Sequence, residues 1–237
     1  MMIYFLAVLY AAIIFAFGVG VSYLFAKADE EITLLFTPKY LILAALYSLA
    51  SGWATASLSG AFNQIQILIL FSFLCAQAYM DLQTSVVYLI QTLALFILQV
   101  SMFLYRIATT DVGQILLKEA NPVVNDCFHM LTLGPYQILI AIGIFMFIII
   151  ALGVLKSIAK NDVLIFACIA LAFCSLGEMA DVRFGLSIIS AYTCFIVFYL
   201  GKIIYRKIKY KESILSQRCP FTAPIALGTT IALLVFI

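Results

Sequence analysis

Asp81 and Asp162 each stand where a long apolar segment meets a short polar loop. A carboxylate at such a boundary is costly to keep, so acids placed there mark function by default. Two of them in contact would share one proton, the arrangement by which paired aspartates activate water against a carbonyl. Other chemistries find less to work with. The only histidine, His129, lies in the loop between the fourth and fifth apolar runs, and no HExxH occurs. A histidine-ligated zinc peptidase needs that motif. A serine protease would need a histidine base beside its nucleophile within the membrane. His129 therefore reads as a loop residue. The six cysteines, Cys75, Cys127, Cys168, Cys174, Cys194 and Cys219, fall mostly in apolar segments and form no CxxC. They read as small buried hydrophobes rather than metal ligands or a disulfide framework. No metal or cofactor is expected, and no nucleic-acid partner. If this chain cuts peptide bonds, carboxylates are what it has.

The elements that must position those acids are membrane helices. Of the 237 residues, 66% are hydrophobic and only 10% charged, with a mean hydropathy of +1.18. A water-soluble domain with that balance would have too little polar surface to cover itself. The chain reads as one all-α polytopic membrane domain over residues 1–237. Apolar runs of spanning length, roughly 20 residues each, occur at 2–25, 41–59, 62–80, 85–105, 136–155, 163–180, 184–204 and 222–237. They predict about eight transmembrane helices. The second run is interrupted by Ser51, Gly52, Thr55 and Ser57, small residues that suit close helix packing in a bilayer. The first resembles a signal peptide at Ala26-Lys27-Ala28, but it is long for an h-region and nothing positive precedes it. It is read as a retained span.

Basic residues set the orientation. With the N-terminus outside, Lys27, Lys39, Lys156, Lys160, Lys202, Arg206, Lys207, Lys209, Lys211 and Arg218 all fall on the cytoplasmic side. Only Arg106, Lys118 and Arg183 remain outside. Both termini are then external. Asp81 closes the third helix and Asp162 opens the sixth at one face, the cytoplasmic one. Glu178 and Asp181 belong to the other end of the sixth run, since Glu178 lies roughly 24 Å from Asp162 at helical rise.

Three stretches carry a family resemblance. Met80-Asp81-Leu82-Gln83-Thr84-Ser85-Val86-Val87 resembles the first aspartate motif of type IV prepilin peptidases, and Ala159-Lys160-Asn161-Asp162-Val163 resembles their second, GxGD. Cys219-Pro220-Phe221-Thr222-Ala223-Pro224-Ile225-Ala226-Leu227-Gly228 is similar to the family's Pro-Phe-x-x-x-x-Ala-Leu-Gly run. The three stand in family order across residues 71–237. Ala159 and Asn161 replace the two glycines of GxGD, and Leu164 stands near the position of a usual lysine. Asn tolerates the left-handed backbone better than most residues, so a similar turn is accessible. The resemblance implies an aspartyl endopeptidase of the cytoplasmic membrane with Asp81 and Asp162 catalytic. Lys160, Asn161, Pro220, Phe221, Pro224, Ala226, Leu227 and Gly228 would support that site. It also implies prepilin-like substrates with a basic leader ahead of an apolar helix, cut at the cytosolic face. The cytosolic insertion with paired CxxC motifs is absent, which implies peptidase without methyltransferase activity.

Residue chemistry adds detail to that expectation. Pro220 and Pro224 suit the start of the last helix, and Ala226 and Gly228 remove bulk so that it approaches the acids. Asp162, near its own helix N-terminus, is expected to ionise before Asp81, which sits at a helix C-terminus. The basic segment from Lys202 to Arg218 suits anionic lipid. Asp29, Glu30 and Glu31 read as a solvated cluster that would also attract a basic leader. Competing readings are a small permease or transporter subunit, a presenilin-like protease cutting within the bilayer, and an inactive homologue acting in assembly. A permease usually shows broken helices or midplane charges. Here mid-helix polarity is limited to residues such as Gln66, Gln91 and Gln99.

Overall fold

The computed structural model describes residues 2–29, 36–84, 87–110, 135–155, 159–177, 179–210 and 220–236. Among them it forms eight helices. These are α1 (Met2–Ala28), α2 (Pro38–Ala56), α3 (Ala61–Thr84), α4 (Leu89–Thr109), α5 (Pro135–Val154), α6 (Lys160–Leu176), α7 (Ala180–Tyr210) and α8 (Thr222–Leu234). Each corresponds to one of the apolar runs. Glu30, Glu31, Ser85, Val86, Lys118, Cys127, His129, Lys156, Glu178, Lys211, Arg218 and Cys219 lie outside the described residues.

By length and composition, four of these helices can cross a membrane: α1, α3, α4 and α7. Polarity is arranged as a bilayer requires. Large apolar side chains such as Phe5, Ile97, Phe147 and Val197 face outward, while Ser51, Thr55, Gln66, Gln77, Thr92, Gln99, Ser175 and Ser187 are buried. In lipid the interior is where polar groups find partners. Gln66 Nε2 donates to Gln99 Oε1 at 3.0 Å and to Ser175 Oγ at 3.1 Å, joining α3, α4 and α6. The mid-helix glutamines thus tie helix to helix.

α3 is the central element. It packs against α1, α2, α4, α6 and α8. In its most apolar stretch 72% of residues are buried, against 17–22% for α1, α4 and α7. The small residues of α2 do what their type predicts. A Cβ on Gly52 would lie 2.6 Å from the Ala7 carbonyl oxygen and the Ala11 amide, so α1 and α2 meet backbone to backbone.

Two boundaries differ from the sequence expectation, and both bear on the site. Asp81 does not close α3; the helix continues to Thr84, whose hydroxyl donates to the Met80 carbonyl at 2.8 Å. α7 does not stop with its apolar run near 204 but continues to Tyr210. Its basic segment favours helix almost as well as alanine does. α7 therefore carries Lys202 and Lys207 beyond the level at which α8 begins.

Candidate active site

The end of α3 is fixed to the start of α4. Gln77, one turn before Asp81, donates to Thr92 Oγ1 at 3.0 Å, and Gln91 Nε2 contacts Met80 Sδ at 3.6 Å. Tyr88, the residue before α4, donates its O–H to Asp29 Oδ2 at 2.6 Å, and its ring packs on Phe25. Asp29 is therefore bonded to the bundle rather than simply solvated. At this end of the molecule α1 and α3 finish, and α4, α6 and α8 begin.

Asp81 is 5% exposed. Its Oδ2 accepts the backbone N–H of Thr222 at 2.8 Å, and the Phe221 amide and Thr222 hydroxyl also interact with its carboxyl. The reason lies in the start of α8. A helix begins with amides that have no intrahelical partner; here Phe221 supplies no side-chain cap, and Pro224 contributes no N–H at all. The remaining amides and the positive end of the helix dipole meet a carboxylate from another helix.

Asp162 lies in the first turn of α6, just ahead of the apolar run at 163–180, and is 6% exposed. It does not act as a solvated first-turn acid. Its side chain interacts with the Ala159 amide and faces the charge of Asp81. Burial, reinforced by that charge, pushes Asp162 up to about 7. Asn161 donates its Nδ2 to the Val87 carbonyl at 2.9 Å. That bond clips the turn before α6 to the segment that follows Asp81.

The structure thus brings Asp81 and Asp162 together, buried, at one end of the bundle. Burial raises both carboxyls, but the amides of α8, a third helix, reach Asp81. That favours the charge on Asp81 and the proton on Asp162, the reverse of the preference expected from each acid's own helix. Asp181 is buried at the opposite end, beside Arg183, whose Nη2 donates to the Phe236 carbonyl at 3.3 Å.

The supporting residues divide. Pro220, Pro224, Ala226 and Gly228 are buried. A Cβ on Gly228 would lie 2.5 Å from the Ala191 amide and 2.7 Å from the Ser187 carbonyl oxygen, so this glycine seats α8 on α7 rather than directly on the acids. Phe221 packs against Phe166, Tyr192 and Phe195, with ring centroids 6.4, 5.3 and 5.0 Å away. Lys160 and Leu227 do not join the site: Lys160 is exposed, and Leu227, 46% exposed, points outward from α8. Sequence reasoning missed two contributors. The Thr222 amide is a backbone group, signalled only by a helix start with prolines and no capping side chain. Tyr192, within electrostatic reach of the Asp162 carboxyl, sits in an apolar run where a tyrosine reads as a lipid-facing residue.

Among the described residues no group of three or more His, Cys, Asp or Glu side chains could hold a metal ion. Cys75, Cys168 and Cys174 are free and buried, and Cys194 is free and partly buried. Comparison of the chain with protein-family models, characterised proteins and solved structures gives no match.

Proposed function

We propose that this chain is a membrane aspartyl endopeptidase of the prepilin-peptidase type, cleaving basic leaders from prepilin-like proteins at the cytosolic face. The observation that carries the reading is the pair of buried acids from α3 and α6, with the α8 amides on one of them. Those amides come from the Pro-Phe motif that, with the two aspartate motifs, bears the family resemblance. All eight helices cross the bilayer, and both termini are external. Lys27, Lys39, Lys160, Lys202 and Lys207 then share the cytosolic side with the acids, as the distribution of positive charge requires.

In this reading Asp81, ionised on the α8 amides, takes a proton from a bound water as the oxygen attacks the peptide carbonyl carbon. Asp162 gives its proton to the carbonyl oxygen; as the C–N bond breaks, the proton gained by Asp81 passes to the leaving amine and a hydroxyl of the gem-diol returns one to Asp162, which restores both acids. A prepilin-like substrate fits the setting: its apolar helix docks in the bilayer beside the bundle while its leader reaches the cytosolic acids. The transporter reading would ask for charge near the midplane, where the described residues offer glutamines bonded between helices.

The test is co-expression with a prepilin-like protein, comparing the native chain with Asp81→Ala and Asp162→Ala. Processing by the native chain and its loss in both variants, with membrane insertion intact, supports the proposal. Processing that persists in both variants contradicts it.

A further inference from the structure

Tyr192 has no task in the fold that accounts for its hydroxyl. The oxygen is sealed from solvent and has no hydrogen-bond partner among the described residues. Leaving a buried hydroxyl unpaired is costly, so such a group in a native site calls for a ligand.

Its position is tightly set. α7 is seated against α8 through Gly228, which meets the backbone at Ser187 and Ala191, the residue directly before Tyr192. Ser187 and Thr229 hydroxyls lie 3.3 Å apart across the same interface. The Tyr192 ring packs on Phe221 at 5.3 Å with the planes 54° apart, and Phe221 directly precedes Thr222, whose amide holds Asp81. From the other side Phe166, one turn after Asp162 and on the same face of α6, meets the same Phe221 ring at 6.4 Å. Phe221 is therefore a hub: its amide interacts with Asp81, its ring packs on Tyr192 and Phe166, and the Asp162 carboxyl lies within electrostatic reach of the Tyr192 hydroxyl.

We propose that Tyr192 is a third catalytic group, whose O–H donates a hydrogen bond to the carbonyl oxygen of the scissile peptide. The inference rests on the peptidase reading. As water adds, negative charge builds on that oxygen, and a fixed donor in a dry site stabilises it more than it stabilises the ground-state carbonyl. Tyr192 keeps its proton throughout; the transferred protons move only between water, Asp81, Asp162, the carbonyl oxygen and the leaving amine. The bound substrate supplies the acceptor that the resting hydroxyl lacks among the described residues.

The experiment is steady-state cleavage of a prepilin-like substrate by the purified full chain in lipid nanodiscs. Tyr192→Phe keeps the ring and its contact with Phe221 but removes the donor. It is expected to lower kcat about 100-fold, the loss typical of one oxyanion donor, with KM changed little. Incorporation of 3-fluorotyrosine at position 192 preserves shape and makes the hydroxyl a stronger donor, so kcat changes while KM holds. A wild-type kcat in both variants, or a loss confined to KM, overturns the role of Tyr192 and leaves the peptidase reading standing. Cleavage that survives Asp81→Asn and Asp162→Asn overturns the dyad instead, whatever Tyr192→Phe does. Failure of the native chain to cut any such substrate overturns both.

Discussion

Buried acids occur at both ends of this bundle, and they are handled in opposite ways. At the end where α7 begins, Asp181 interacts with the Val182 amide of its own first turn, while nearby Arg183 bonds the Phe236 carbonyl and packs on its ring. Those contacts close one end of the bundle. At the other end Asp81 and Asp162 come from distant helices and face each other. Among the described residues no buried basic side chain accompanies them. A like-charge pair without a cation cannot ionise fully, so it retains a proton. Burial alone therefore does not mark a site; the meeting of two acids from distant helices does.

The largest break in that contrast comes from removing the acids. Asp81→Ala or Asp162→Ala is expected to lower leader cleavage by at least about 10³-fold, as loss of an acid–base group does. Asp181→Ala, read in the same assay, is expected to leave cleavage near the native rate. Equal losses from all three would erase the distinction between the ends. Next in size is Gly228→Ala. Its Cβ would meet the α7 backbone at 2.5 Å, pushing α8 outward and pulling the Thr222 amide from Asp81. A destabilisation of about 1–3 kcal/mol is expected, as for overpacking elsewhere, read as a lower thermal midpoint together with reduced cleavage. Gly20→Ala meets open space and should shift neither. The smallest effect is expected from Asn161→Ala, which removes the bond to Val87. A net loss of about 0.5–1.5 kcal/mol should appear in thermal unfolding, with a few-fold fall in rate and the pH dependence retained.

Much of the architecture was legible because bilayer thickness and hydrophobicity are one-dimensional constraints. The apolar runs located all eight described helices, and Ser51 with Gly52 announced a close contact in α2. Boundaries were harder. A hydropathy run ends where charge begins, whereas α7 continues through Lys202 and Lys207 because basic residues with long stems favour helix. At the site, the two aspartates were legible from their positions at segment ends. The ownership of the shared proton was not. Each acid was judged by the dipole of its own helix, but the deciding amides belong to α8, 141 residues along the chain from Asp81. Tyr192 was silent for a related reason: a tyrosine in an apolar run looks the same whether it meets lipid or a carboxylate. Lys160 and Leu227, drawn in by motif adjacency, face outward because helical periodicity turns neighbours to different sides.

The central claim is that Asp162 holds a proton because it is buried against the charge of Asp81. A group raised in this way favours the folded state fully below its ordinary value of 3.8, and that contribution is lost as pH rises through about 7. Infrared difference spectroscopy of the native chain in lipid, with isotope-labelled aspartate, follows the protonated carboxyl band directly. It should disappear around pH 7 in the native chain and at distinctly lower pH in Asp81→Asn, where burial still acts but the neighbouring charge is gone. An Asp162 band with the same midpoint in both proteins, or one that vanishes in the ordinary carboxylate range, would contradict the account.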